Sequence, residues 1–469
     1  MRLPDYAAAR RYLEQFVPGP GQFTPPDLAL ARTVALMHAL DDPQEARPVI
    51  HLAGTSGKGS TATLLAAVLA AHGLRTGLGL SPHVRSLTER IQLNGAAIDP
   101  ARFTAAVAAV QPAVEAVSDG PYGPPSFFEI TIAISYLVFA GRVPGCAPVD
   151  VVVMETGLGG RTDATNVVRH RDKIALFTAI DLDHTELLGD SVAQIAREKA
   201  GIVQPGNTVI SIHQQAAVKT VLEQVCRSQA AALTWFDPAT QIRRVRPGLT
   251  HVTFDLAWHG RPAAADMTWR DLTVSLGGAH QAANAGLALV AARHLLARQR
   301  RGLDAQAVRA AFETIAIPGR MDLQHIGNQP VLLDGAHNPQ KMEALVKALT
   351  AANPAATFCF ILALKEGKDT DAVLQRLLPH AAHIVVTTFD NRDQGMHVQA
   401  IQPERLAARL SALGYTDFEV AAQMDAALHA ARRWSAAHAI ETPIVITGSL
   451  YLLAEAYAAV EKAQQSGSE

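Results

Sequence analysis

Cysteine is scarce: only Cys146, Cys226 and Cys359 occur in 469 residues, and no two stand at C-x-x-C spacing. Thiols so few and far apart speak against a zinc ribbon or a disulfide framework and suit a reducing compartment. An excess of charge is also lacking, since 41 Lys and Arg face 43 Asp and Glu for a formal net charge of −2. That balance supplies no field for coating nucleic acid or a membrane, so neither is expected as a partner. No apolar run reaches the roughly 20 residues a membrane helix needs. The longest, residues 127–140, carries Glu129. The opening MRLPDYAAARRYLEQF puts charges where a signal peptide has its apolar core, so an untargeted, cytoplasmic protein is expected.

What is present is a globular composition, 49% hydrophobic and 18% charged, in a chain too long for one ordinary core. The pattern predicts an α/β protein of two domains. Residues 1–317 read as a P-loop-type, mostly parallel sheet with flanking helices and a small antiparallel part between residues 233 and 276. Residues 318–469 alternate strands and helices as in a Rossmann-like parallel sheet, and Pro318-Gly319 breaks the chain between the two.

The most informative stretch is PVIHLAGTSGKGS, residues 48–60. A β-prone run enters Gly54-Thr55-Ser56-Gly57-Lys58-Gly59-Ser60, and an alanine- and leucine-rich helix is predicted over residues 61–71. Strand, glycine turn and helix in that order make a phosphate cradle: glycines admit backbone N–H groups to the anion, the helix N-terminus adds its dipole, and Lys58 neutralises charge. The spacing departs from G-x-x-x-x-G-K-[ST], and on the pattern alone a solvated glycine turn stays open as the lesser alternative. Three further predicted strands end in polar groups: residues 76–80 before Ser81-Pro82-His83, residues 149–154 before Glu155, and residues 174–180 before Asp181-Leu182-Asp183-His184. In open α/β sheets ligands gather at such carboxyl ends. Ser81, Glu155 and His184 are thereby candidates to meet one cation. Lys199, in a helix over residues 192–200, reads as an ordinary solvated lysine. In the second domain the first strand ends in Asp334-Gly335-Ala336-His337 and the last in Thr447-Gly448-Ser449, and a cleft between two such domains suits a two-substrate site.

Nine segments in order, GTSGKGS, LSPH, METGLGGRTDATN, DLDHTELLG, REKAG, GAHQAANA, PGR, DGAHNP and GSLYLLAE, span residues 54–455. Together they resemble the folylpolyglutamate synthase and dihydrofolate synthase family, relatives of the Mur ligases. The resemblance implies ATP-dependent ligation of L-glutamate to dihydropteroate or to the γ-carboxylate of a reduced folate through an acyl phosphate, by a monomer. It implies that Gly54, Thr55, Ser56, Gly57, Lys58, Gly59 and Ser60 hold the ATP phosphates. It implies Mg²⁺, as two ions in the family's manner, on Ser81, Glu155, His184 and a CO₂-derived carbamate of Lys199. It further implies Asn284 at the adenine, Arg320 at a nucleotide phosphate and Asp334 at the ribose, with His337 and Ser449 on the glutamate side and Phe128 and Asp163 near the pterin. Lys58, His184, Lys199 and His337 are its catalytic candidates. The chain departs from the family pattern at Ser56 (usually Asn), at Leu80 (usually a small hydroxyl residue), and at Lys365 to Asp369, where Asp-Lys-Asp is usual. The alternatives are a Mur-type ligase acting on another carboxylate, and a nucleotide-regulated binding module without ligation.

Overall fold

The computed structural model describes residues 3–19, 25–259, 267–351, 353–390, 398–438 and 440–466. Seventeen strands occur among them. β1 (Val49–Ala53), β2 (Thr76–Gly79), β3 (Ile91–Leu93), β4 (Ala96–Ala97), β5 (Val151–Glu155), β6 (Ile174–Phe177), β7 (Thr208–Ile212) and β8 (Ala232–Phe236) form one sheet in the order β4-β3-β2-β5-β1-β6-β7-β8. β1, β2, β5 and β6 are buried along their whole length. Continuous apolar runs such as Val-Val-Val-Met in β5 suit parallel strands covered on both faces by helices, and β2, β5, β1, β6, β7 and β8 pair in parallel. Only the β3 and β4 edge is antiparallel. The register sets Leu52 beside Glu155, so the chain leaves β1 and β5 at one level of the sheet.

The apolar run around residue 130 becomes the helix Phe127–Phe139, buried except for Phe128. Glu129 belongs there for two reasons. It closes a capping box with Ser126 at the helix start. It also takes a bidentate bond from Arg32, Nε and Nη2 each 2.7 Å away, on the helix Pro26–Ala39. Both side chains are less than a tenth exposed. Among the described residues no helix is long and apolar enough to cross a membrane.

β9 (Ile242–Pro247), β10 (Val252–Trp258) and β11 (Met267–Val274) form a three-stranded sheet. The segment from Leu233 belongs instead to β8, parallel to β7: its alternating side chains mimic a hairpin, but Trp235 and Phe236 pair with Ser211 and Ile212. The remaining strands, β12 (Asp322–Ile326), β13 (Gln329–Leu333), β14 (Phe358–Leu362), β15 (Ala381–Val386), β16 (Phe418–Val420) and β17 (Ile444–Thr447), give the order β12-β13-β17-β14-β15-β16. This sheet is parallel apart from β12, which folds back antiparallel on β13 through Gly327 at φ +59°. The chain divides into two compact units, one of Met1–Arg244, Phe254–Thr273 and Ala282–Ile315, the other of Val245–Thr253, Val274–Gln281 and Ala316–Glu469. The second has its own core, built around Phe360, Leu362, Ile384 and Val445.

Two bases are fully buried in the first unit. His51 lies in β1 with Nε2 2.8 Å from Thr165 Oγ1, and burial holds its pKa well below the usual 6.5. Lys173 donates to Val168 O at 3.1 Å, and burial pushes its pKa from 10.5 down to about 7. A base depressed in the folded state binds more protons when unfolded, so stability rises with pH between the two pKa values. Acidification through 6.5 is therefore expected to cost stability through His51, and alkalinisation from 7 toward 10.5 to add it through Lys173. Urea unfolding of Lys173→Met across that upper range should lack a slope worth on the order of a few kcal/mol. Parallel pH profiles for wild type and variant would refute this.

Candidate active site

In the first unit, β1 delivers the chain into Gly54-Thr55-Ser56-Gly57, and the next helix runs Lys58–Ala71 with Gly57 as N-cap at φ +81°. The helix begins three residues earlier than its composition suggests, because Gly59 is accommodated in the first turn. A Cβ there would lie 3.6 Å from Glu155 Oε2, so this turn abuts the end of β5. The loop is fitted without slack. A Cβ on Gly54 would come within 1.9 Å of Thr178 Oγ1, and one on Gly57 within 2.5 Å of Asn284 Oδ1. Asn284, from the helix His280–Arg298, thus packs on the glycine loop. Thr55 fixes the other wall: its N–H donates to Ala179 O (2.8 Å), its Oγ1 donates to Asp181 O (2.9 Å), and it accepts from Asp181 N (3.0 Å). Ser56 N–H also points to Ala179 O at 3.4 Å. These bonds explain why β6 stops at Phe177 rather than running to residue 180. The chain after it pairs with the loop instead of a strand.

At the head of the helix, the first-turn amides of Lys58, Gly59 and Ser60 have no intrahelical acceptor by helix geometry, and the dipole's positive end lies with them. Lys58 Nζ donates to Gly54 O at 3.1 Å, and Lys199 Nζ donates to the same oxygen at 2.9 Å. The two nitrogens are therefore within roughly 6 Å, the sum of those distances. Two ammonium charges so placed repel by about 3 kcal/mol at an effective dielectric constant of 20. A polyanion, or conversion of one lysine to an anion, removes that cost.

Glu155 is the last residue of β5 and buried, and Ser81 N–H donates to its Oε2 at 3.1 Å. Ser81 follows β2 by two residues. His184 stands at φ +51°, a strained value for a non-glycine residue, with Asp183 3.8 Å and Glu186 3.7 Å from its ring nitrogens. Among the described residues no three His, Cys, Asp or Glu side chains cluster to hold a metal by themselves. One carboxylate beside a hydroxyl residue and a phosphate cradle nevertheless fits Mg²⁺, which keeps waters and phosphate oxygens in its shell.

Beyond Glu155 the loop Thr156 to Asn166 turns back on itself. Asp163 is buried, and its Oδ2 accepts from Leu158 N (2.7 Å) and its Oδ1 from Thr165 N (2.9 Å) and the Thr165 hydroxyl. Burial raises its pKa against those bonds. Phe128 lies across Gly157, where a Cβ would sit 2.5 Å from its ring and 3.2 Å from Asp163 Oδ2. The structure thus brings Phe128 and Asp163 together around one glycine.

In the second unit the ends of β13 and β17 meet through Gly448 N–H, which donates to Ala336 O at 2.9 Å. Asp334 receives Met321 N on Oδ2 (3.0 Å) and Ala336 N on Oδ1 (2.9 Å), and desolvation raises its pKa while the Arg320 charge opposes the shift. Arg320 Nη1 donates to Gly319 O at 3.1 Å. His337 donates from Nδ1 to Gly335 O (2.8 Å) and accepts on Nε2 from Lys341 Nζ (3.1 Å). Burial and the Lys341 charge hold its pKa well below 6.5, so the ring is neutral. Ser449 Oγ accepts from Tyr451 N at 3.1 Å at the start of the helix Leu450–Ser466. Sequence reasoning missed Lys341 as the neighbour of His337; the signal was the start of the helix Pro339–Thr350 two residues before it, which puts Lys341 one turn from the histidine.

Comparison with known proteins gives three findings. Residues 320–459 match the family model described as dihydrofolate synthetase, C-terminal domain. The dihydrofolate synthase/folylpolyglutamate synthase of Mycobacterium tuberculosis is 34% identical over 413 residues, 85% of this chain and 82% of that one. Among solved structures, the M. tuberculosis folylpolyglutamate synthase complexed with ADP and AMPPCP superposes with a TM-score of 0.83 at 31% identity, covering 97% of this chain and 99% of its own. A folylpolyglutamate synthase complex with AMPPCP and folate gives 0.76 at 26% identity, covering 98% and 99%.

Proposed function

Because the chain belongs to the dihydrofolate synthase/folylpolyglutamate synthase family of ATP-dependent ligases, we propose that it joins L-glutamate to dihydropteroate, to the γ-carboxylate of a reduced folate, or to both. The observation that carries this reading is the cradle of Gly54 to Ser60, with Lys58 at its helix start and Glu155 at the end of the adjacent strand. The ATP-binding domain would comprise residues 1–317 and the glutamate-ligase domain residues 318–469, in a cytoplasmic monomer.

The substrate carboxylate oxygen attacks the γ-phosphorus, and the bond to ADP breaks with its electron pair leaving on ADP. The glutamate amine then attacks the acyl carbon, the C–N bond forms, and phosphate departs with the C–O pair while the amine releases a proton. The first step builds negative charge on the departing ADP and the second on the acyl oxygen and then the departing phosphate; Lys58 and the first-turn amides of the cradle would stabilise the charge on the phosphate groups. Thr55 and Ser56 shape that cradle, and Asn284 beside Gly57 would face the adenine. Ser81, Glu155 and His184 would hold Mg²⁺, which supplies charge neutralisation at the phosphates. Lys199 would carry a carbamate: its neutral amine adds to the carbon of CO₂, one C=O pair moves to oxygen, and one proton is released. The resulting anion would help hold a second Mg²⁺ and turn the Lys58 repulsion into attraction. In the second unit Arg320 would bind a nucleotide phosphate and Asp334 the ribose, while neutral His337 and Ser449 serve glutamate. Phe128 and Asp163 would border the pterin.

Assays of the purified protein with dihydropteroate and with tetrahydrofolate, each with glutamate, ATP and Mg²⁺, should release ADP and phosphate only when all components are present. Absence of turnover with either pterin would end this reading.

A further inference from the structure

The loop after Glu155 and the helix Val192–Ala200, which carries Lys199, touch main chain to main chain. Arg161 N–H donates to Glu198 O at 2.7 Å. A Cβ on Gly160 would lie 2.7 Å from Lys199 O, and one on Gly201 would lie 2.4 Å from Arg161 Cβ. Glycine at both positions permits this approach, since a side chain at either would clash.

One buried side chain fastens them. Asn166 Nδ2 donates to Arg161 O at 2.9 Å and to Gly201 O at 3.0 Å, and the residue is 3% exposed. Its Oδ1 is buried with no hydrogen-bond partner, so the side chain is engaged through its two donors alone. Both acceptors are carbonyls, so the position demands two N–H groups on one short stem, which only asparagine offers. The Arg161 guanidinium also reaches Glu198 (3.1 Å) and Asp27 (2.9 Å), but it is half exposed and pairs of that kind are worth up to about 1 kcal/mol. At its other end the loop is tied toward Glu155 by Asn166 N–H to Asp163 O (2.8 Å) and Leu158 N–H to Asp163 Oδ2 (2.7 Å). The span between Glu155 and Lys199 is thereby fixed by bonds that contact neither side chain.

We propose that Asn166 is a positioning residue for Lys199: by bridging Arg161 O and Gly201 O it holds the end of the Lys199 helix against the Glu155 loop, where the Lys199 amine takes up CO₂. This inference rests on the carbamate reading of Lys199, and its test separates the two. Wild type, Asn166→Asp and Asn166→Ser are assayed for ligation against bicarbonate concentration, and each is labelled with ¹³C-bicarbonate and examined for a carbamate carbon by NMR. Asn207→Ser is the control, a buried amide whose bonds go to His170 O, Arg171 O and Gln204 N.

The N166D change replaces Nδ2, and with it both donors, by one carboxylate oxygen that faces two carbonyls, so this variant should need at least ~tenfold more bicarbonate for half-maximal activity, equivalent to about 1.4 kcal/mol. Its turnover at ambient CO₂ should fall ~10²-fold, as for a misplacement of about 1 Å. N166S, retaining one donor, should fall between, and N207S should lose melting temperature without changing bicarbonate dependence. If wild type shows the carbamate and both Asn166 variants match it in signal and bicarbonate dependence, the positioning role is overturned and the carbamate stands. A bicarbonate shift in N207S equal to that in N166D overturns it as a general consequence of destabilisation. If wild type shows neither carbamate nor bicarbonate dependence, the carbamate reading fails and this inference fails with it.

Discussion

Lys58→Ala is expected to lower kcat by ~10² to 10³, the usual consequence of removing one charge-stabilising donor from a transition state, while leaving the protein, stripped of CO₂ so that Lys199 is a free amine, at least as stable as wild type. The opposite signs follow from the geometry. Lys58 Nζ is bonded to Gly54 O, and that oxygen keeps its second donor, Lys199, so truncation leaves no buried carbonyl unpaired. Truncation also removes a repulsion between two ammonium groups of about 3 kcal/mol at an effective dielectric constant of 20. Thermal melting without nucleotide and turnover with saturating ATP measure the two effects separately. A large drop in melting temperature, or near-normal turnover, would count against Lys58 as the phosphate partner.

Glu155→Gln should be the second large loss, again ~10²-fold or more in kcat, since one hydrogen-bonding group is retained and one charge removed. Glutamine preserves the shape of the side chain and can still accept from Ser81 N–H, which lies 3.1 Å from Oε2, so the turn after β2 should keep its place. What it cannot do is hold a divalent cation by charge. The decisive measurement is a Mg²⁺ titration of activity, in which the variant should saturate at higher metal concentration than wild type. An unchanged titration would remove Glu155 from the metal site.

Much of this could be read from the residues alone, because the relevant features are local in sequence. GTSGKGS follows a strand and precedes a helix, and Glu155 ends a β-branched run. The parallel strands of the second unit were legible to within about two residues for the same reason, apolar runs alternating with helical periods, but the antiparallel edge strand β12 was missed, because the residues from Asp322 to His325 are only half-buried or exposed and carry no apolar run. What escaped depended on partners far along the chain. Gly59 argues for a loop by propensity, yet it lies in the first turn of the helix, where a Cβ would make only ordinary contact with Glu155 at the end of β5. Residues 178–180 continue β6 by pattern, but Thr55 bonds to Ala179 O and to both main-chain groups of Asp181 instead. β8 has the alternation of a hairpin strand and joins the parallel sheet. Asn166 ends a motif whose glycines and arginine draw the eye first. Its acceptor Gly201 O is 35 positions away, and no periodicity announces such a bridge.

The Arg32 and Glu129 pair bears on how sequence variants of this protein should be interpreted. Each is the other's buried bidentate partner, so losing either strands a desolvated charge, a defect that typically costs about 3–5 kcal/mol. A mutational scan scored by growth alone would rank substitutions at Arg32 and Glu129 beside those at Lys58 and Glu155. Protein abundance would separate them, falling for the first pair and holding for the second. Classification of inactivating changes in this family therefore needs both readings before any residue is assigned to chemistry.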